Sequence, residues 1–553
     1  MMTVRQYIFC SIAAVTILSA YPWDWGTKSC AAHEQTLPAA CKRQNEDRVR
    51  LLAQARTDSS VKERLGRCHL TLELIDVQTQ QALAGNLRIT DDNTGHALAL
   101  SGLIQRPEGW FAMSQRATVS VPQTQLSIAA FHGLETELGK TSLDLSGKEK
   151  AHVRLRLKRF YDAAHKKQWS GNTHFHLNRT SRKAADRYLQ VVPKADDLDL
   201  LYVSHLKAFN DHTYITNEYT AESLAQLAGN HQTLRHGQEH RHDFKDFVEG
   251  YGHVMFLDIQ RLIEPVSIGP GLMHTGSDGI PLRRGITAAR SDGASVIWCH
   301  NRYGLEDLPN WMSGVLDAQN IFDGGGEHGS YEDTYYRYLN IGLTVPFSTG
   351  TDWSIYDFSR VYVPLDGPLI SPAWLRQLAA GRSYITNGTL LELHVYDHDV
   401  GDTIRLAEPT TVGITGNAMG RNDFRAIELI HNGQVIHTVK SHRQDGHFLA
   451  AIDFSVKVDQ PGWFALRIPL QTGNNEFAHP LFAHSSPIYV ELRGKRIFQP
   501  QLAQQLLLEM QRSVSAIKKR GIFDNDQEKD AVLNVHRNGI AALQERLKRH
   551  GQD

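Results

Sequence analysis

Short alternating runs of apolar and polar residues fill the chain from Cys68 to about Phe160. They lie at 70–75, 86–90, 118–122, 126–130 and 152–157, parted by turn signals such as Asp91-Asp92-Asn93-Thr94-Gly95. A period of two with turns at this spacing predicts an N-terminal β-sandwich over 68–160. From 165 to 393 strand-like apolar runs alternate instead with helical segments, among them 220–227 and 374–380. Such alternation predicts a parallel β/α arrangement. Period two returns at 410–416, 426–431 and 462–468, with Asn432-Gly433 as a hairpin signal, so a second sandwich is expected over 394–495. Helical periodicity with charged outer faces at 501–517 and 529–547 predicts a helical tail, 496–553.

The start of the chain differs. Residues 7–20 form an apolar stretch behind Arg5, shorter than the roughly twenty residues a membrane span needs and suited to a signal peptide over 1–20. The expectation is an exported protein, periplasmic, extracellular or at the cell surface, touching a membrane only if that segment stays as an N-terminal anchor. A helical or linker segment, 21–67, follows. Lys+Arg of 59 against Asp+Glu of 60 leaves a net charge of -1, so no basic field is present to hold a nucleic-acid backbone. Five cysteines in 553 residues are too few for a disulfide framework. Cys30 and Cys41 flank a short Pro-containing segment and could pair; Cys299, inside an apolar run, reads as a small buried hydrophobe.

Candidate chemistry concentrates between 165 and 393. His174 and His176 stand two apart in a strand-like run, and because side chains alternate faces in a strand they point the same way and can share one cation. His205 follows the run 198–202, Glu239 closes Gly237-Gln238-Glu239, His300 follows 294–297, and Asp352 follows 344–347. Each of these segments reads as the C-terminal end of a strand, which is what a barrel mouth requires. His253 opens a further apolar run, 254–257. Imidazoles and carboxylates without thiolates suit zinc, manganese or iron in an open hydrolytic site rather than a closed structural one.

The order H-x-H, strand-end His, G-x-E, two single His and a late G-[ST]-D resembles the PHP (polymerase and histidinol phosphatase) superfamily. Flanking residues bring the likeness closer to the CehA/McbA-type metallohydrolases, named for enzymes that hydrolyse an aryl N-methylcarbamate. These are Trp169-Ser170-Gly171-Asn172-Thr173-His174, Gly252-His253, Ser291-Asp292-Gly293, Ser359-Arg360-Val361-Tyr362 and Gly381-Arg382-Ser383-Tyr384-Ile385-Thr386-Asn387-Gly388. The likeness runs from about Cys68 to beyond Val490. It implies a distorted (β/α)7 TIM-like barrel, which with the two flanking β-sandwiches and the C-terminal helical segment read from periodicity makes the expected fold an α/β multidomain chain. It also implies one metal site of His174, His176, Glu239 and Asp352 and a second of Glu239, His253 and His300, with Glu239 bridging one or two divalent transition ions. A third site found in some PHP proteins looks dismantled, because Ser354 stands two residues after Asp352 and 177–182 holds neither His nor Asp.

The function expected from these residues is an exported metal-dependent hydrolase. It would act on a carbamate, amide, ester or phosphoester bond of a small-molecule or glycan-like substrate. His205 is a candidate for proton transfer, substrate contact or metal binding, and Arg360 for fixing a substrate oxygen or for an interdomain ion pair. Asp211 and His212 are further candidates for the mouth. His231, His236, His240 and His242 read as a solvated polar loop. Trp298, Trp311, Trp353, Tyr331, Tyr335 and Tyr336 read either as packing or as an aromatic wall. The alternative from another class is a non-catalytic cell-surface or wall-binding protein built on a relic barrel. Oligomeric state leaves no mark in the pattern.

Overall fold

The computed structural model describes residues 66–550 apart from 229–232, 246–247, 302, 325–329 and 471. The expected signal segment, nearly all of 21–67 with the Cys30–Cys41 pairing, and His231 lie outside the described residues. Among the described residues no helix is long and apolar enough to cross a membrane. The chain is mixed α/β and strand-rich, with one curled mixed sheet and several smaller sheets.

In the strand Arg67–Asp76, Leu70, Leu72 and Leu74 are buried while the residues between them are not. This strand pairs with Lys150–Leu157 in parallel and with Arg116–Pro122 antiparallel. A second sheet, built on Gly85–Asp91 and Gln125–Phe131, turns Leu87, Ile89, Leu126 and Ile128 into the same apolar interior. Two sheets sharing one core are what the alternation calls for.

The curled sheet begins with β1 (Gln168–His176), β2 (Leu200–His205), β3 (Thr233–Phe244) and β4 (Val248–Leu257), and continues with β5 (Ser295–Trp298), β6 (Ala318–Asn320), β7 (Phe347–Ser348) and β8 (Asp352–Trp353). Strands β1, β2 and β3 run parallel, as do β5, β6 and β7, and β8 returns to lie parallel to β1. Helices Arg182–Ala195 and Leu282–Ser291 cover this sheet, placing Leu189 and Val192 against Phe175 and Val203, and Leu282 and Ile286 against Val254 and Val296.

Two expectations fail here for one reason. The arrangement is not wholly parallel, because β3 pairs antiparallel with β4, and β4 with β5. Only residues 245–247 separate β3 from β4, far fewer than the dozen or so that a parallel crossover needs. The same long hairpin absorbs the histidine-rich stretch read as a loop: His240 and His242 are fully buried inside β3. His242 is satisfied there by Asp278 Oδ1 at Nε2 (2.9 Å) and by Tyr251 N, which donates to Nδ1 (3.0 Å), while His240 Nδ1 bonds Val266 O (3.2 Å) and its Nε2 is buried without a hydrogen bond. Side chains that look solvated in a linear pattern are tolerated inside once they find partners.

Past β8, the strand Arg360–Pro364 pairs with β1 and with Tyr384–Thr386, which in turn pairs with Ala483–Ser485. The site sheet thus passes by continuous pairing into the C-terminal strands. Facing these, Thr389–Val395, Thr410–Gly420 and His447–Val458 form a separate sheet, and Leu391, Ile414 and Ile452 share a core with Leu429 and Leu466. Asn432 and Gly433 both take positive φ, 53° and 88°, the left-handed pair that joins Ala426–His431 to Gln434–Lys440 in a two-residue hairpin. Helices Pro500–Arg520 and Asp526–His550 close the chain against the helix Asp307–Met312, so tightly that a Cβ on Gly539 would come within 2.9 Å of Pro309 Cα. In the turn between them Ile522 N donates to Asp278 Oδ2 (2.7 Å).

Candidate metal centre

His174 and His176 close β1 and are fully buried, their ring centroids 5.2 Å apart. Asp352 reaches them from β8 because that short strand runs beside β1, with Thr351 N donating to His174 O (2.9 Å). The approach leaves no room for a side chain at position 350: a Cβ there would sit 2.5 Å from His174 N. Asp352 Oδ1 lies 3.3 Å from His174 Nε2 and 3.9 Å from His176 Nε2. Glu239 comes from the middle of β3 rather than a strand end. Its Oε2 is 3.3 Å from His176 Nε2, and its Oε1 is 2.9 Å from His253 Nδ1 and 4.0 Å from His300 Nε2. His253 also sits within its strand, opposite Arg241, and so has Glu239 and Asp243 as diagonal cross-strand neighbours. His300 lies just past β5.

The expected ligand residues therefore meet, in two neighbouring groups: His174, His176 and Asp352, and Glu239, His253 and His300. Buried His, Asp and Glu side chains here could hold a metal ion. The fit lies in the donor atoms. His174 Nε2, His176 Nε2 and His253 Nδ1 are buried with no hydrogen-bond partner, although His253 Nδ1 has Glu239 Oε1 at 2.9 Å. Leaving buried ring nitrogens unsatisfied is costly, and a cation among them removes the cost. Two of the residues that carry the centre, His300 and Asp352, hold φ of 57° and 58°, a left-handed conformation that costs a non-glycine residue on the order of 1 kcal/mol or more and persists only where the surroundings enforce it.

Electrostatics agree with this reading. Burial works to raise the Glu239 carboxyl, yet His253 beside it, with His176 and Arg241, holds it well below the usual carboxylate range. Burial works to lower His300, but Asp323 first, then Asp352 and Glu239, push it up to about 10. His174 and His253 are raised against burial in the same way, chiefly by Asp352 and by Asp243 respectively. The buried carboxylates of this cluster favour positive charge on the groups beside them.

Two functional residues escaped the sequence reading. Asp323, fully buried, bonds His174 Nδ1 through Oδ2 (2.8 Å) and His300 Nδ1 through Oδ1 (3.3 Å), and accepts from His300 N (3.1 Å). As His300 follows β5, it follows a strand, β6, but its short run Ala318–Asn320 carries no alternation to flag it. Asp243 accepts from Tyr303 Oη and pairs with His253 Nε2 at 3.4 Å. Its signal was the spacing 239, 241, 243, a single strand face, hidden while the stretch was read as loop.

The remaining candidates divide. His205 ends β2, half-buried, and the carbonyl just before it, Ser204 O, accepts from His176 Nδ1 (2.9 Å). His212 is exposed. Arg360 is corrected: it is 1% exposed, and its guanidinium donates to Phe358 O, Asp196 O and Asp197 O at 2.8 to 3.0 Å. Asp196 and Asp197 precede β2, at the end opposite His205, so Arg360 ties backbone segments together there rather than standing among the metal-site candidates, and among the described residues it has no ion pair. Trp298, Trp311, Tyr331, Tyr335 and Tyr336 are core packing. Trp353, half-buried, stands 5.4 Å from the His176 ring and 5.7 Å from Tyr214. Cys299 is buried as expected, with its thiol within 4.8 Å of donor atoms of His174 and Glu239.

No protein-family model matches this chain, and no curated protein matches it.

Proposed function

We propose that this chain is a metal-dependent hydrolase with a PHP-type centre, nearest in its motifs to the CehA/McbA metallohydrolases. The observation that carries the reading is the convergence of three unpartnered, buried ring nitrogens on Glu239 and Asp352. His174, His176 and Asp352 would hold one divalent transition ion, and His253 and His300 a second, with Glu239 between them. The split of Glu239's oxygens, one toward His176 and one toward His253, supports a bridging role. When bound, such ions acidify water and polarise a carbonyl or phosphoryl oxygen.

The chain's own groups do the rest. Asp323 and Ser204 O fix the Nδ1 side of the His174 and His176 rings, which aims each Nε2 inward. His205, half-buried at the end of β2, is the candidate to carry a proton between the centre and solvent. Trp353 offers an apolar wall for the substrate body beside His176. A distorted (β/α)7 barrel is the fold form we favour for the curled sheet. The pairing of β8 with β1, on the far side from β2, supports it. The apolar stretch at 7–20 supports export.

The test is elemental analysis of purified protein followed by a panel of aryl esters, carbamates and phosphoesters. We expect one to two equivalents of zinc, manganese or iron and hydrolysis of at least one class, abolished by chelation. Metal-free protein with hydrolysis indifferent to chelators would overturn the proposal.

A further inference from the structure

Three of the four imidazoles in the centre share one orientation. His174 and His300 bond Asp323 through Nδ1, and His176 bonds Ser204 O through Nδ1, so each presents Nε2 to the site. His253 is reversed: Nε2 faces Asp243 and Nδ1 faces Glu239. An imidazole binds a cation only through a nitrogen without a proton, and the bond made by the other nitrogen decides which one that is. Asp243 therefore decides whether His253 can serve as a ligand.

Asp243 is itself held. Tyr303 Oη donates to its other oxygen, Oδ1, and the Tyr303 ring packs at 5.0 Å from His253 and 5.9 Å from His300. Tyr303 reaches this position because its loop is stitched to β4. Gly304 N donates to Glu249 Oε1 (2.8 Å), Leu305 N to Gly250 O (3.0 Å) and Glu306 N to Tyr251 O (2.9 Å). Gly252 (φ 121°) and Gly304 (φ 101°) allow the approach, since a Cβ on Gly304 would come 2.4 Å from Gly252 Cα. Among the described residues no such device reaches the His174–His176–Asp352 side, whose rings are set by Asp323 and Ser204.

We propose that Asp243 and Tyr303 form a positioning pair that sets the affinity of the Glu239–His253–His300 metal position alone, making it the one that can be emptied while the His174–His176–Asp352 position stays filled. The proposal rests on the two-metal reading above. Asp323 is the internal contrast, because its two oxygens orient one ligand of each group and its loss reaches both.

Cobalt(II) titration of the full chain, read by its visible absorption and by competition with a chelator, tests this. Wild-type protein should take up two ions. Asp243→Asn should weaken one of them by about ten- to a hundredfold, the usual effect of losing a carboxylate behind a histidine ligand, and leave the other near its wild-type affinity. Tyr303→Phe, which keeps the ring and removes only the hydroxyl, should weaken the same ion to a smaller degree at an unchanged melting temperature. Asp323→Asn should weaken both. If both ions respond together to Asp243→Asn and Tyr303→Phe, or neither does, or wild-type protein takes up a single ion, the inference fails while the metal reading stands. Wild-type protein that binds no cobalt sinks the metal reading and this inference with it.

Discussion

Glu239 faces two ways. Its Oε2 lies beside His176 and its Oε1 beside His253, so its carboxylate stands between the two halves of the centre. Glu239→Gln keeps the shape and removes that charge. It should therefore cost metal at both positions and lower turnover by about a hundredfold or more, beyond what removal of an outer carboxylate does. The check is metal content and kcat measured together for Glu239→Gln and for His174→Ala; the glutamine variant should lose the larger share of both. At this scale the sequence was informative, because His-x-His on a strand must place both rings on one face and a lone Glu among such rings has few other uses. What it hid were the groups that act through another residue. Asp323 and Asp243 touch imidazoles; nothing in the spacing of Asp323 distinguishes it from a surface carboxylate, and the 239, 241, 243 spacing of Asp243 marks a strand face only once that stretch is read as a strand.

Strand neighbours decide how the site is held. β8 lies so close to β1 that Gly350 is the only residue the gap admits: an added Cβ would meet His174 N at 2.5 Å and His174 Cβ at 2.6 Å. Both contacts are at or beside backbone, so neither can swing away. Gly350→Ala is expected to push Asp352 off the His174–His176 pair, with a loss of about 1–3 kcal/mol in stability, the usual range for overpacking. Thermal melting with and without added zinc should show a lower melting temperature and a smaller gain from metal than the wild-type chain. The elements themselves were legible where one physical rule dominated. Asn432-Gly433 signalled a two-residue hairpin because few other pairs adopt two left-handed conformations in succession, and both residues do so. The β3–β4 hairpin was not legible. Its inward polar residues, Glu239, Arg241 and Asp243, and its buried His240 and His242 break the apolar alternation by which strands are recognised.

Across the whole molecule, several carboxyls pay for burial with a proton. Asp307, on the helix that receives the C-terminal hairpin, has only Tyr338 Oη on Oδ2 (3.0 Å) and no partner on Oδ1, and burial pushes it up to about 8. In the unfolded chain an aspartate ionises near pH 4. Between about pH 4 and pH 8 the folded state therefore keeps a proton that the unfolded state has lost, and stability falls as pH rises through that window, then levels off above it. Asp307→Asn removes the penalty, so it should raise the melting temperature at pH 8 and leave it nearly unchanged at pH 4. Scanning calorimetry of both proteins at the two pH values decides this; an equal shift at both would mean that the proton on Asp307 plays no part. At this scale the strand-rich segments and the helical tail followed from periodicity. The continuous pairing from the site sheet into the C-terminal strands did not, since pairing partners distant in sequence leave no periodic trace.

That C-terminal hairpin meets the centre from behind. Asp278 holds His242 with one oxygen and Ile522 N with the other, and His242 stands three residues from Glu239 on the same strand. The rear face of the Glu239 strand is therefore incomplete while the ribosome is still adding the residues between Asp352 and Ile522. In chain order all six candidate residues, His174 to Asp352, precede Ile522, so the contact that braces the Glu239 strand from behind is among the last the chain can make.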